Sequence, residues 1–215
     1  MAGRTGTVGR LAQIWVYPVK SMRGQSVDAA VIDTDGVAGD RAWSVRGTAQ
    51  TLSARGTLGL AEVSARVGAD GVLGLDIPGQ APALAGAAAD AALSLHLGCP
   101  VRLVRAEDGT FADVAAVHLV STAAVAAAAA SGQTCTPGGT HDPRANLIID
   151  LDGPADDPDT GEGEEQGPER GWVGRELTIG SAVLRVTRTP KHCLGVYAEV
   201  LQPGPAAPGD AVRLR

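Results

Sequence analysis

The stretch that decides the fold class is Ala61-Glu-Val-Ser-Ala-Arg-Val-Gly-Ala-Asp-Gly-Val-Leu-Gly-Leu-Asp-Ile77. Residues 61–67 alternate apolar and polar at period two, which puts every second side chain on one face of an extended strand. Asp70-Gly71 then invites a tight reversal into residues 72–77, so the stretch reads as a β-hairpin. Outward from it, short β-like runs recur with turn residues between them, at 11–17, 27–32 and 41–45, then at 101–105, 117–120 and 146–150. Others follow at 176–179, 183–187, 194–200 and 211–214. Two Ala-rich segments, 87–97 and 121–130, are the helix candidates, the second capped by Ser121 or Thr122 and ended by Gly132. Many short strands with few helices give a mainly β chain suited to barrels or sandwiches rather than to a βαβ sheet.

The chain has 215 residues, enough for one core or two small subdomains, with an expected boundary near Gly98-Cys99-Pro100. Aromatic residues make up only 3%, so the core must be built from Ala, Val and Leu. Residues 153–171 are rich in Gly, Pro, Asp and Glu without a large apolar side chain, and read as a disordered acidic insertion. The net charge of −6 argues against a nucleic-acid partner. No apolar run approaches the roughly 20 residues that cross a bilayer, and no secretory h-region opens the chain, so a cytoplasmic location without membrane contact is expected. The cysteines, Cys99, Cys135 and Cys193, are too far apart for a zinc or iron-sulfur motif. Cys99 and Cys135 are read as small buried hydrophobes.

Four constellations carry possible chemistry. Tyr17-Pro-Val-Lys-Ser-Met-Arg-Gly24 offers Lys20, Ser21 and Arg23 on a loop, either an anion cradle or an ordinary polar turn. In Gly36-Val-Ala-Gly-Asp-Arg-Ala-Trp-Ser-Val45, Arg41 can fork onto a phosphate while Asp40 fixes a neighbouring loop, or the two can form a surface pair of little weight. Trp43 is most simply core. Asp142-Pro-Arg-Ala-Asn146 sets Arg144 and Asn146 at a strand mouth, to bind a polar ring edge or, for Asn146, to satisfy local backbone. Arg185-Val-Thr-Arg-Thr-Pro-Lys-His-Cys193 puts four potentially cationic residues within eight positions of a thiol. Nearby positive charge favours a thiolate, a soft metal ligand and a nucleophile; a buried Cys193 would be inert. The two lysines of the chain, Lys20 and Lys191, both fall inside these constellations.

In order, Tyr17-Pro-Val-Lys-Ser21, Gly39-Asp-Arg-Ala-Trp43, Ser53-Ala-Arg55, Val117-His-Leu-Val-Ser121, Arg144-Ala-Asn-Leu-Ile-Ile149 and the Cys193 segment resemble the MOSC family with its N-terminal barrel, which includes the mitochondrial amidoxime-reducing components. The resemblance covers nearly the whole chain apart from the acidic insertion. It implies an N-terminal MOSC β-barrel subdomain at 7–98 packed on a MOSC-type β-barrel core at 99–215. It also implies a molybdenum cofactor, with the metal held by a pterin dithiolene and by Cys193. By motif position Lys20, Ser21 and Arg41 would hold the cofactor's anionic end, Arg144 and Asn146 would contact the pterin, and Asp113 would stand near the metal as a catalytic residue. Three features depart from the family pattern: Pro190 stands where a second Cys is common, the string Asp157-Pro-Asp-Thr-Gly161 lies upstream of Cys193 rather than after it, and the short Arg144 loop lacks the usual bulky aromatic.

The activity implied is reduction of N-hydroxylated or N-oxide small molecules. No iron-sulfur or flavin motif is present, so electrons would come from a separate ferredoxin-like or flavin-containing partner. The alternative is a non-catalytic cofactor carrier or sulfur-handling module.

Overall fold

A computed structural model of the chain describes residues 6–112, 114–132, 143–152, 167–191 and 193–215. The strands run in chain order β1 Gly6–Val16, β2 Gln25–Val27, β3 Ala30–Asp33, β4 Gly36–Val37, β5 Trp43–Arg46, β6 Ser64–Val67, β7 Leu73–Asp76 and β8 Ala83–Leu84. After helix α1, Ala87–Leu97, come β9 Arg102–Arg105 and β10 Val117–Ser121. Helix α2, Thr122–Ser131, is followed by β11 Leu147–Leu151, β12 Glu176–Ile179, β13 Ala182–Arg188, β14 Val196–Gln202, β15 Gly204–Ala206 and β16 Ala211–Leu214. The chain is mainly β with two α-helices among the described residues, the class expected from the sequence.

By contacts the chain divides into two compact units that are not continuous in sequence. One draws on Met1–Trp15, Ser26–Ala38 and Val114–Arg215, the other on Val16–Gln25 and Gly39–Asp113. The division thus falls elsewhere than at the expected Gly98 boundary. The physical reasons are β1, whose partners β11 and β16 lie in the C-terminal half, and β9, which pairs with β5 and so carries the second unit past Gly98.

In the first unit the strand order β11-β10-β14-β13-β12-β16-β1 closes through a further pairing of β11 with β1, giving a seven-strand barrel. Closure removes the free edges that an open sheet would expose. β1 pairs antiparallel on both sides, Ile14 opposite Leu147 on one and Gly6 opposite Leu214 on the other. Register shifts between Leu11 and Gln13 and between Thr7 and Gly9 interrupt the two ladders. Bulges of this kind bend a strand and add twist, as closure requires. Leu11, Ile14, Leu119, Leu147, Ile149, Leu177 and Leu184 are buried, each side chain contributing about 1.5–3 kcal/mol relative to exposure. Ser121 caps α2 by accepting from the Ala124 N–H at 3.1 Å, and Gly132 ends it at φ +72°, as the sequence predicts. A smaller sheet, β15-β3-β4, belongs to the same unit.

The second unit has a β5–β9 ladder, a three-stranded sheet β6-β7-β8 and α1. Its core gathers Val19, Met22, Val45, Leu60, Leu73, Leu75 and Leu93, with Trp43 partly buried against it. Asp90 ties α1 to β9 by accepting from the Leu103 N–H at 2.8 Å.

The expected hairpin is present as β6 and β7, but residues 58–62 are a 3-10 turn and only residues 64–67 are strand. The reversal takes five residues rather than two, since Val67 pairs with Leu73. The expected strand 27–32 is two strands, β2 and β3. β4, β8 and β15 were not foreseen; they are two or three residues long and β15 contains Pro205, which hides them from any periodicity. Cys99 is exposed rather than buried, because it sits in the turn after Gly98 ends α1 at φ +68°. Cys135 lies outside the described residues. Of the expected disordered insertion, residues 153–166 also lie outside them, but residues 168–172 form a 3-10 helix with Glu169 and Trp172 buried. Trp172, one residue past the low-complexity window, supplies the apolar anchor that composition did not credit.

At Gly9, on the seam between β1 and β11, a Cβ would collide with the Asp150 carbonyl oxygen. Gly9→Ala should therefore lower the free energy of unfolding by about 1–3 kcal/mol, measured by chemical denaturation, while the surface change Thr7→Ala stays within about 0.5 kcal/mol.

Candidate functional site

β10 lies between β11 and β14 in the barrel, and its Leu119 pairs with Leu147 on one side and Val196 on the other. The loops that carry Arg144 and Cys193 therefore enter the sheet at one level. They meet: the Cys193 thiol faces the Pro143 carbonyl oxygen at 3.8 Å. Cys193 is a half-buried residue, not part of the fully buried core.

The backbone around the thiol is tied down from outside the loop. One guanidinium nitrogen of Arg170 donates to the carbonyls of Pro190 at 3.0 Å and of Cys193 at 2.9 Å. From β10, the His118 ring donates through Nε2 to the Leu194 carbonyl at 2.8 Å. A carbonyl can only accept, which fixes the hydrogen on that nitrogen. The His118 ring packs against Tyr197 with centroids 5.0 Å apart. Gly195 follows at φ +76°, where a Cβ would collide with the Leu119 carbonyl.

Arg144 has φ +53°, a left-handed conformation that costs a residue with a side chain roughly 1–2 kcal/mol. Asn146 is buried and braces the loop: its Oδ1 accepts from the His118 N–H at 3.2 Å and its Nδ2 donates to the Trp15 carbonyl at 3.3 Å. Its own N–H and carbonyl join His118 and Trp15 as well, each at 2.8 Å. The sequence offers Asn146 a ligand or its own local backbone; the structure instead ties its side chain to the backbone of two distant strands, 28 and 131 positions away.

The 3-10 helix that presents Arg170 buries Glu169 completely. Glu169 Oε1 accepts from the Ser121 N–H at 3.1 Å, satisfying a donor at the start of α2, while Oε2 has no partner among the described residues. Burial pushes its carboxyl above the usual value, opposed by the hydrogen bonds from Ser121 and by the charge of Arg170. Sequence reading missed both residues. The signal was Trp172, which marks the end of the acidic stretch as anchored.

In the second unit, Asp40 is only 3% exposed and pairs with Arg41, and it accepts from the Tyr17 N–H at 2.8 Å. It is thus not a surface pair of little weight. The Arg41 guanidinium lies over the Tyr17 ring, 5.4 Å from its centroid. The Arg41 N–H donates to the Tyr17 carbonyl at 2.7 Å and the Lys20 N–H to the Trp43 carbonyl at 2.8 Å, so the two sequence motifs are stitched together. Arg23 is directed to the Ala61 carbonyl at 2.9 Å. Ser21 and Arg41 have φ of +71° and +50°. With Arg144 they are the non-glycine residues at positive φ among the described residues, and all three are residues singled out from the sequence. Strain of this kind concentrates at ligand-holding sites.

Asp113 and His192 lie outside the described residues. Of the basic residues before the thiol, Arg185 pairs with Glu176 at 3.0 Å and Glu199 at 3.4 Å on the exposed face of the barrel. Arg188 reaches the Val114 carbonyl at 2.8 Å. Nearness in sequence thus overstated their nearness to sulfur: the cation bonded to the Cys193 backbone comes from residue 170.

Residues 8–96 match the family model for the MOSC N-terminal beta barrel domain. No curated protein matches the chain. Among solved structures, the YuaD protein from Bacillus subtilis aligns over 98% of this chain and 96% of its own, at 13% identity and a TM-score of 0.46. No helix among the described residues is long and apolar enough to cross a membrane.

Two predictions test these local readings. Arg144→Gly and Arg144→Ala lose the same guanidinium contacts, yet only glycine relieves the left-handed backbone, so the glycine variant should be the more stable by about 1 kcal/mol in urea denaturation. For Glu169, the unfolded carboxyl titrates near 4.5 and the folded one higher. Below the unfolded value both states hold the proton; as pH rises through the folded value, the contribution to stability is lost. Glu169→Gln should therefore flatten the fall in melting temperature between acid and alkaline pH, and an unchanged slope would contradict the buried-acid reading.

Proposed function

From a chain whose residues 8–96 carry the MOSC N-terminal domain, we propose a molybdenum-cofactor protein in which Cys193 ligates the metal and which reduces N-hydroxylated or N-oxide small molecules with electrons from a separate redox partner. The observation that carries the reading is the half-buried Cys193 thiol, pinned at its backbone and facing the loop of the strained Arg144.

The residues present fit such a group. Sulfur is a soft donor suited to a transition metal, and a thiolate is the form that binds. Among the described residues no cluster of three or more His, Cys, Asp or Glu could cage a metal alone. A lone protein thiolate suits a metal that arrives with its remaining donors, as a pterin dithiolene provides.

When bound, the cofactor would supply a metal able to accept an oxygen atom and to change oxidation state. The chain's own part is binding and orientation. Cys193 would donate its sulfur, and Arg144 would offer planar donors to the pterin edge from its left-handed backbone. Asn146 would hold that loop against β1 and β10 and use its remaining amide hydrogen on the ligand. By motif resemblance alone, Lys20, Ser21 and Arg41 would be the residues for an anionic group; within their own unit Asp40 and Tyr17 fix the Arg41 guanidinium. Asp113 is kept as the candidate proton-handling group near the metal.

The test is elemental analysis of protein purified from a cofactor-producing host, with amidoxime reduction driven by a reduced viologen dye. Wild type should carry molybdenum near one atom per chain and turn over, and Cys193→Ala should lose both. Equal metal in the variant would overturn the reading; metal and transfer to an apo-enzyme without turnover would assign a carrier role instead.

A further inference from the structure

We infer that Arg170 is a positioning residue for the Cys193 sulfur, an inference that rests on Cys193 being the metal ligand. The thiol sits in the loop between β13, which ends at Arg188, and β14, which starts at Val196. Such a connection leaves its sulfur wherever the backbone happens to lie, unless its polar groups are tied. Arg170 closes it across the neck, with one nitrogen bonded to the carbonyls of both Pro190 and Cys193. His118 holds the next carbonyl, that of Leu194, from β10.

The carbonyls at 190, 193 and 194 are thus fixed by side chains that belong to other elements, and Gly195 lets the chain pass against Leu119. Arg170 is itself anchored, since Glu169 and Trp172 on either side of it are buried. Its Nε is buried without a partner among the described residues. The two carbonyls, not full satisfaction of the guanidinium, therefore decide where this side chain lies. The two in-plane hydrogens of one guanidinium nitrogen, on a rigid planar group, suit the task, and an ammonium on a flexible stem reproduces it only in part. Outer-shell groups that orient a metal ligand act through it, without touching the metal.

The experiment uses the full chain from a cofactor-producing host and compares wild type with Arg170→Met, Arg170→Lys, Cys193→Ala and Leu177→Ala. Leu177 is fully buried in β12 and serves as a control that loses stability without touching the loop. Molybdenum per chain after dialysis, the electron paramagnetic resonance signal of partly reduced protein, and hydrogen exchange of the peptide covering residues 189–195 are the readouts. Arg170→Met should retain metal about 10-fold less tightly or worse. It should also shift the resonance of the remaining metal and speed exchange in the loop, and Arg170→Lys should fall between it and wild type. Leu177→Ala should melt lower yet keep the wild-type metal content, signal and loop exchange.

Wild-type metal content and signal in Arg170→Met, or equal metal loss in Leu177→Ala, would overturn the inference. If Arg170→Met does not fold, the same comparison is read from Arg170→Lys. Retention of molybdenum by Cys193→Ala would instead sink the functional reading, and hydrogen exchange in the Arg170 variants would still report whether the side chain holds the loop.

Discussion

Three strands share one rung, with Leu119 of β10 between Leu147 of β11 and Val196 of β14, and the placement of the thiol depends on it. Strand register has a period of two, so a slip of one residue would turn every side chain of a strand to the opposite face. The rung is protected because its members are fully buried and because β1 closes the barrel by pairing with β11. The loops before β11 and β14 inherit their positions from this arrangement. Neither the Pro143–Cys193 approach nor the bracing by Asn146 would survive a change of register.

Well-tied surroundings also let strained residues persist, Arg144 in the barrel unit and Ser21 and Arg41 in the second unit. Ser21, Arg41 and Arg144 hold left-handed backbones that their side chains disfavour, and each belongs to a motif rich in polar donors. Where the surrounding hydrogen bonds over-determine a conformation, strain becomes preorganisation: the side chain is presented before a ligand arrives. Around Arg41 that supply is visible in the buried Asp40, the Tyr17 ring and the Tyr17 carbonyl. Around Cys193 the same office falls to Arg170 and His118.

The strands and helix ends were largely legible in the sequence because they obey local rules. α1, the Ser121 cap and Gly132 terminus of α2, and β12 follow from local composition and capping chemistry alone. What escaped was short or non-local. β15 is a three-residue strand containing a proline, and nothing within it announces its pairing with β3. The membership of β1 in a barrel built mostly of C-terminal strands is a property of topology, which residue patterns do not encode. In the candidate site, Cys193 and Arg144 were legible as residue types in suggestive company, whereas Arg170 was not. It lies in a segment whose composition reads as solvated, and its partners are backbone carbonyls about 20 positions away. Conversely Arg185, close to Cys193 in sequence, faces Glu176 and Glu199 because alternation along β13 turns it outward.

The proposed bond between the Cys193 sulfur and molybdenum is open to direct measurement. X-ray absorption at the molybdenum edge of loaded wild-type protein, set beside the Cys193→Ser variant reconstituted with the same cofactor, measures it directly. The sulfur count around the metal should fall by one in the variant, with an oxygen neighbour in its place. An identical sulfur shell in the two proteins would contradict the account.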